Sequence, residues 1–174
     1  TANRALRSTS ERTTTAPEIK PMPGAVVVRS DVERKALFAV GETEKLRADA
    51  YSAHVNARVY AALAEKARRI LAAGHSVIVD AVFAQPHERT AIAEAARSRD
   101  LPLRGLFLTA DLETRLDRVG ARARDASDAD RNVAQAQERY ELGPLDWMPI
   151  DASETPEDTL ARTRAALAAA PTAP

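Results

Sequence analysis

The 174-residue chain has no cysteine, which excludes disulfide scaffolds, thiol nucleophiles, zinc ribbons and iron–sulfur sites. It has no excess of either charge, because 25 Lys plus Arg face 25 Asp plus Glu. A neutral chain offers no electrostatic footprint for coating nucleic acid or a membrane surface. Aromatic residues are only 4%, too few for a base-stacking platform. No apolar run approaches the roughly 18 residues of a membrane span, and the first residues hold no apolar signal core. No nucleic-acid partner, no membrane and a cytoplasmic location are therefore expected. His54, His75 and His87 lack metal-ligand spacing and read as surface or loop residues, and no G-x-S-x-G elbow is present.

What the chain does have is alanine, 37 residues, and arginine, 21 against 4 lysines. Alanine favours helix. Arginine grips phosphate with a planar fork, although GC-rich coding explains most of such an excess equally well. Residues 1–23 carry Ser/Thr clusters and three prolines without a period of 2 or 3.6, and read as loop or disorder. Residues 171–174 read as a frayed tail, which leaves a domain over 24–170.

Inside that domain short β-branched runs alternate with amphipathic stretches. Strands are predicted at 25–29, 76–80, 103–109 and 146–151, and helices at 54–73, from Pro86 to about 99, from 112 behind an Asp111 cap, over about 128–140, and at 156–169. Thr155-Pro156-Glu157-Asp158 is a helix start, with a Thr cap, Pro at the first position and acids in the first turn. The alternation predicts an α/β fold, a parallel sheet between two helical layers. Ligands of such sheets sit beyond the carboxyl ends of the strands.

Two acids fall at those ends. Asp31 follows the first predicted strand, with Arg34 three residues on, and Asp80 ends the second. A carboxylate there can accept a hydroxyl proton or hold a Mg²⁺ shell. Equally, Asp31 can be a helix N-cap and Asp80 a turn residue. Arg115, Arg118 and Arg122 share one helix face, Arg124 lies just past it, and a polar stretch from Asp125 to Asp130 comes next. That suits a lid over phosphates, or a solvated helix face with local ion pairs. Trp147 reads as a packing aromatic rather than an adenine platform, and Tyr51, Tyr60 and Tyr140 read as partial core residues.

Four blocks in order resemble small P-loop kinases, the AAA-type ATP-binding domains often fused to an aminoglycoside-phosphotransferase-like domain. They are Ala25 to Lys35, Gly74 to Phe83, Arg118 to Asp130, and Leu142 to Trp147. The resemblance covers about residues 17–155 and implies a P-loop NTPase-like fold, with ATP and Mg²⁺ as cofactors. It implies phosphoryl transfer, a kinase or transferase activity, to a small hydroxylated molecule. By the same resemblance Asp31 is a base or substrate anchor, Arg34 holds the substrate or its phosphate, Asp80 supports Mg²⁺, and Arg118 and Arg122 neutralise the transferred phosphoryl. An aminoglycoside-phosphotransferase-like domain is the implied partner.

The chain departs from the family at one place. No G-x-x-x-x-G-K-[ST] exists: the glycines stand at 24, 41, 74, 105, 120 and 143, and none precedes Lys. Arg4, Arg7, Ser8 and Thr9, upstream of Pro17, carry Cβ atoms where a phosphate cradle uses glycine. The expectation is a fold missing its first strand and P-loop, with impaired transfer. An inactive binding module or a fragment of a larger ATP-binding protein is the alternative, through a shifted reading frame, degeneration, or a strand and loop lying upstream.

Overall fold

A computed structural model describes residues 6–9, 24–121, 128 and 131–169. Five strands, β1 (Leu6–Thr9), β2 (Val26–Arg29), β3 (Val77–Asp80), β4 (Leu103–Thr109) and β5 (Met148–Asp151), form one sheet in the order β2-β3-β1-β4-β5. All four pairings are parallel. The helices are α1 (Ser30–Leu37), α2 (Ala53–Ala72), α3 (Pro86–Arg97), α4 (Leu112–Ala121), α5 (Arg131–Gln137) and α6 (Pro156–Ala168), with a 3-10 turn at Ala48–Tyr51. None among the described residues is long and apolar enough to cross a membrane.

The sheet corrects one expectation. The first strand is present, drawn from the segment expected to lie outside the domain. Leu6 pairs with both Val77 and Leu103, and Thr9 lies beside Asp80 and Leu106. The slot between β3 and β4 offers unpaired peptide groups on both sides, and filling it satisfies two ladders at once. That demand is met by backbone, so Leu-Arg-Ser-Thr fills it without the β-branched run that marks β2 and β3. The other strands agree with the sequence. Val77, Ile78, Val79 and Asp80 are all buried, as expected for a parallel strand covered on both faces.

The core has two parts, one on each face. Val59, Leu63, Ala67 and Leu71 of α2 and Ile92, Ala95 and Ala96 of α3 pack with Val28, Val77, Val79, Phe83 and Trp147. The other face buries Leu106, Leu108, Ile150 and Ala152 against Ala166 and Leu167 of α6. This is the three-layer arrangement. Gly105 lets Trp147 lie against β4: a Cβ there would come 2.3 Å from the indole Cγ. The helix starts match their sequence signals. Thr155 Oγ1 accepts the Asp158 N–H at 3.1 Å, Asp111 accepts the Thr114 N–H at 2.8 Å, and Pro86 sits in the first turn of α3.

Candidate functional site

Strand polarity puts the exits of β1, β3 and β4 side by side, with β2 next to β3, so the segments leaving these strands share one rim. Helix α1 begins as β2 ends. Its N-cap is Arg29, so Asp31 is not the cap but the second residue of the helix. Asp31 and Arg34, three apart, share the inward face, and both are more than nine-tenths buried. Burying such charges is costly unless they are paired. The Arg34 Nη1 donates to the Ala50 carbonyl at 2.7 Å, and its guanidinium lies 4.8 Å from the centre of the Tyr51 ring. Its Nε is buried without a hydrogen-bond partner.

Tyr51 is exposed rather than core, and Tyr140 is too. Burial, followed by the neighbouring Asp128 carboxylate to which Tyr51 donates and the negative charge of Asp31, pushes the Tyr51 phenol well above its ordinary value. The phenol thus keeps its proton at physiological pH and donates its hydrogen bond to Asp128 at 2.7 Å. Asp128 also accepts the Leu46 N–H at 2.9 Å and pairs with Lys35 at 3.0 Å. Burial pushes its carboxyl up, but the bonds from Leu46, Tyr51 and Lys35 outweigh that and hold it below the ordinary carboxylate range.

Asp80 ends β3 on the same rim, between Arg29 and Thr9 in the ladder. Its Oδ2 lies 3.3 Å from the Arg29 Nε. The loop behind it is strained: Phe83 is fully buried with φ +50. Three contacts impose that conformation. The Phe83 N–H donates to the Tyr60 hydroxyl at 3.0 Å, its carbonyl accepts from Arg89 at 2.7 Å, and its ring packs edge-on against Trp147. Arg89 also donates to the carbonyls of Ala84, Leu142 and Pro144, tying this loop to the one before β5. Burial raises the Glu88 carboxyl beside it.

A cavity of about 250 Å³ opens over the carboxyl ends of β3 and β4, lined by Val82, Phe107, Thr109, Arg115 and Tyr140 among others. It flanks the exit of β1, the place from which a phosphate cradle would extend. Its arginine is engaged: Arg115 donates to the Ala110 and Ala134 carbonyls and pairs with Glu138, bracing α4 on α5.

The structure therefore brings Asp31, Arg34 and Asp80 to neighbouring strand ends. It does not bring Arg118 there. That guanidinium donates to the carbonyls of Ala152 and Glu154, just past the carboxyl end of β5, at the opposite edge of the sheet from β2. Arg122 and Arg124 lie outside the described residues. Among the described residues no three acidic or histidine side chains come together to hold a metal. Asp80, the acid expected to support Mg²⁺, is paired to Arg29, and the glycine cradle that ATP phosphates need is missing from the sequence. Sequence reasoning missed Lys35, Asp128 and the placement of Tyr51. A lysine one position past the Asp-x-x-Arg segment was the available signal, but its acid stands 93 residues away.

A family model described as an AAA domain matches residues 10–142. Uncharacterized proteins of Mycobacterium tuberculosis and Mycobacterium bovis are 30% identical over 129 residues, 72% of this chain and 26% of theirs. The chain thus spans about a quarter of the length of the curated relatives it matches. Among solved structures, a gluconokinase from Sinorhizobium meliloti superposes with a TM-score of 0.63 at 16% identity, covering 96% of this chain and 92% of that one. A sugar kinase from Janibacter gives 0.63 at 20% identity, over 97% and 96%. The Mycobacterium tuberculosis APS kinase, solved with AMPPNP and APS, gives 0.61 at 14%, over 95% and 98%. At such identities the likeness concerns the fold, while the family match spans most of the chain: this protein belongs to the AAA domain family, as a small P-loop-kinase-like α/β domain.

Proposed function

We propose that this chain binds a small hydroxylated molecule at the carboxyl end of β2 and is an impaired phosphotransferase of the ATP-dependent kinase type. The observation that carries the acceptor half is the burial of Asp31 and Arg34 three residues apart on α1, with an aromatic ring over the guanidinium. Asp31 accepts the proton of the attacking hydroxyl, and Arg34 orients the acceptor. Phosphoryl transfer depends on positioning and charge neutralisation, so this half is necessary but not sufficient. The structural neighbours whose names specify gluconate, sugar or APS kinases support a small-molecule acceptor.

The impairment stems from the cradle. Without it the β- and γ-phosphates lose their backbone N–H donors and lysine, and Arg118, spent on two carbonyls, does not substitute. The same observation favours a second reading, an inactive domain that binds its small molecule without transferring phosphate. Calorimetric titration with Mg-ATP, followed by an acceptor screen, separates the two. Micromolar ATP binding with turnover abolished in Asp31→Asn, and ATP binding spared, supports the transferase; unchanged turnover removes Asp31 from that role. No ATP binding by a cooperatively folded protein supports the binding domain.

A further inference from the structure

Between α1 and α2 the chain runs for 15 residues, Phe38 to Ser52, with little of its own to hold it. Most of these residues are exposed, and Ala50 is the buried exception. Their backbone bonds are local, such as Glu44 to Gly41, Ala50 to Arg47 and Ser52 to Asp49. Yet this segment supplies the Tyr51 ring over Arg34. Something outside it has to set that ring.

Among the described residues the tethers from outside are few. Arg34 donates to the Ala50 carbonyl, Asn56 Nδ2 of α2 donates to the Tyr51 carbonyl at 3.3 Å, and Lys35 Nζ donates to the Glu42 carbonyl at 2.7 Å. Both remaining long-range tethers end on one oxygen: Asp128 Oδ2 accepts the Leu46 N–H at 2.9 Å and the Tyr51 hydroxyl at 2.7 Å. The other oxygen, Oδ1, meets Lys35 at 3.0 Å. Lys35 is 1% exposed, so its ammonium has no solvent to turn to and requires an anion there. One carboxylate thus neutralises the buried lysine of α1 and fastens the segment at two points five residues apart. Hydrogen bonds to a charged acceptor are the strong ones, and a serine or asparagine could not serve both ends.

We propose that Asp128, held by Lys35, is the positioning residue of the acceptor site: it fixes Tyr51 over Arg34 beside Asp31 and so sets the wall that the small molecule meets. It acts through Tyr51 and touches no reacting atom. The proposal rests on the acceptor reading above, and its test is separable from that reading because the first measurement needs no turnover.

That measurement is hydrogen exchange of the full chain, read at the Leu46 amide and over 42–52, with β3 and β4 amides as the internal reference. Asp128→Asn is expected to speed Leu46 exchange roughly tenfold or more, the change that accompanies loss of a hydrogen bond to a charged group. Because that variant strands the Lys35 ammonium, Tyr51→Phe is its companion: it removes one tether, keeps the ion pair, and should accelerate the same amides by a smaller factor. Leu46 exchange equal to wild type in both variants overturns the proposal. So does acceleration spread evenly over β3 and β4, which marks a global loss of stability. The second measurement applies to any acceptor the wild type turns over. Tyr51→Phe should raise the acceptor KM and leave the ATP KM and kcat nearly unchanged; a kcat loss at constant acceptor KM overturns the positioning role. A wild type without turnover defeats the transferase reading and leaves the exchange result to decide the fastening.

Discussion

Gly105 shows how one missing atom shapes the site. The indole of Trp147 occupies the space a β-carbon would take on β4, and its ring holds Phe83 edge-on in the loop behind Asp80. Gly105→Ala should therefore cost about 1–3 kcal/mol as the indole is displaced, read as a lower urea midpoint at constant slope. Asp128 makes a prediction with a sign. Its folded carboxyl lies below the ordinary range, so the stability it contributes is complete above the unfolded value near ~3.9 and is lost as pH falls through the folded value. Among the described residues the groups facing it are Lys35, the Tyr51 hydroxyl and the Leu46 amide, and the raised Tyr51 phenol keeps its proton throughout that window. The stability gap between wild type and Asp128→Asn should be widest near neutrality and narrow steadily below about pH 4 in urea titrations.

Among elements, the β3–α3 connection is firmly held, although it is a loop. Arg89 is 5% exposed and its guanidinium closes four carbonyls from two loops. Arg89→Met keeps the buried stem and strands those acceptors, at a cost of roughly 1–3 kcal/mol or more. Trp147 is the single tryptophan and packs on Phe83, so its emission should shift to the red before global unfolding. An unshifted spectrum with full stability would show that water replaces the arginine. The segment between α1 and α2 is the opposite case, a connection whose own bonds are local and whose position is set from α1 and Asp128.

The whole molecule depends on a strand of four residues. Without β1, β3 and β4 would face each other across an empty slot with unpaired edges. A proline within it removes one ladder donor and is poorly tolerated in a central strand. Ser8→Pro should abolish the cooperative thermal transition in calorimetry, whereas the same change in an exposed residue of the 38–47 segment should leave it largely intact. Retention of a sharp transition in Ser8→Pro would mean that the remaining strands close the sheet without this segment.

Local pattern was enough for β2 to β5 and for the long helices, because β2 and β3 carry β-branched runs, β4 an apolar stretch, and amphipathic helices with Thr155, Asp111 and Pro86 at their starts declare themselves in a few residues. Strand polarity then carried Asp31 and Asp80 to one rim, since ligands meet parallel sheets at their carboxyl ends. Four things were not legible. Leu6–Thr9 has no strand signature, since its place is fixed by ladders offered from β3 and β4, and backbone pairing leaves little trace in side-chain type. Arg118 shares a sequence face with Arg115 and Arg122, yet carbonyls just past the carboxyl end of β5 claim its guanidinium. The Arg29 side chain turns to Asp80 because their strands lie in register. Lys35, Tyr51 and Asp128 meet only through folding, because which buried cation finds which carboxylate is a matter of distance in space. The chain's order of residues sets the elements and the rim; the partners of its charged side chains are set by packing, where each burial has to be matched by a charge or a hydrogen bond brought from elsewhere in the chain.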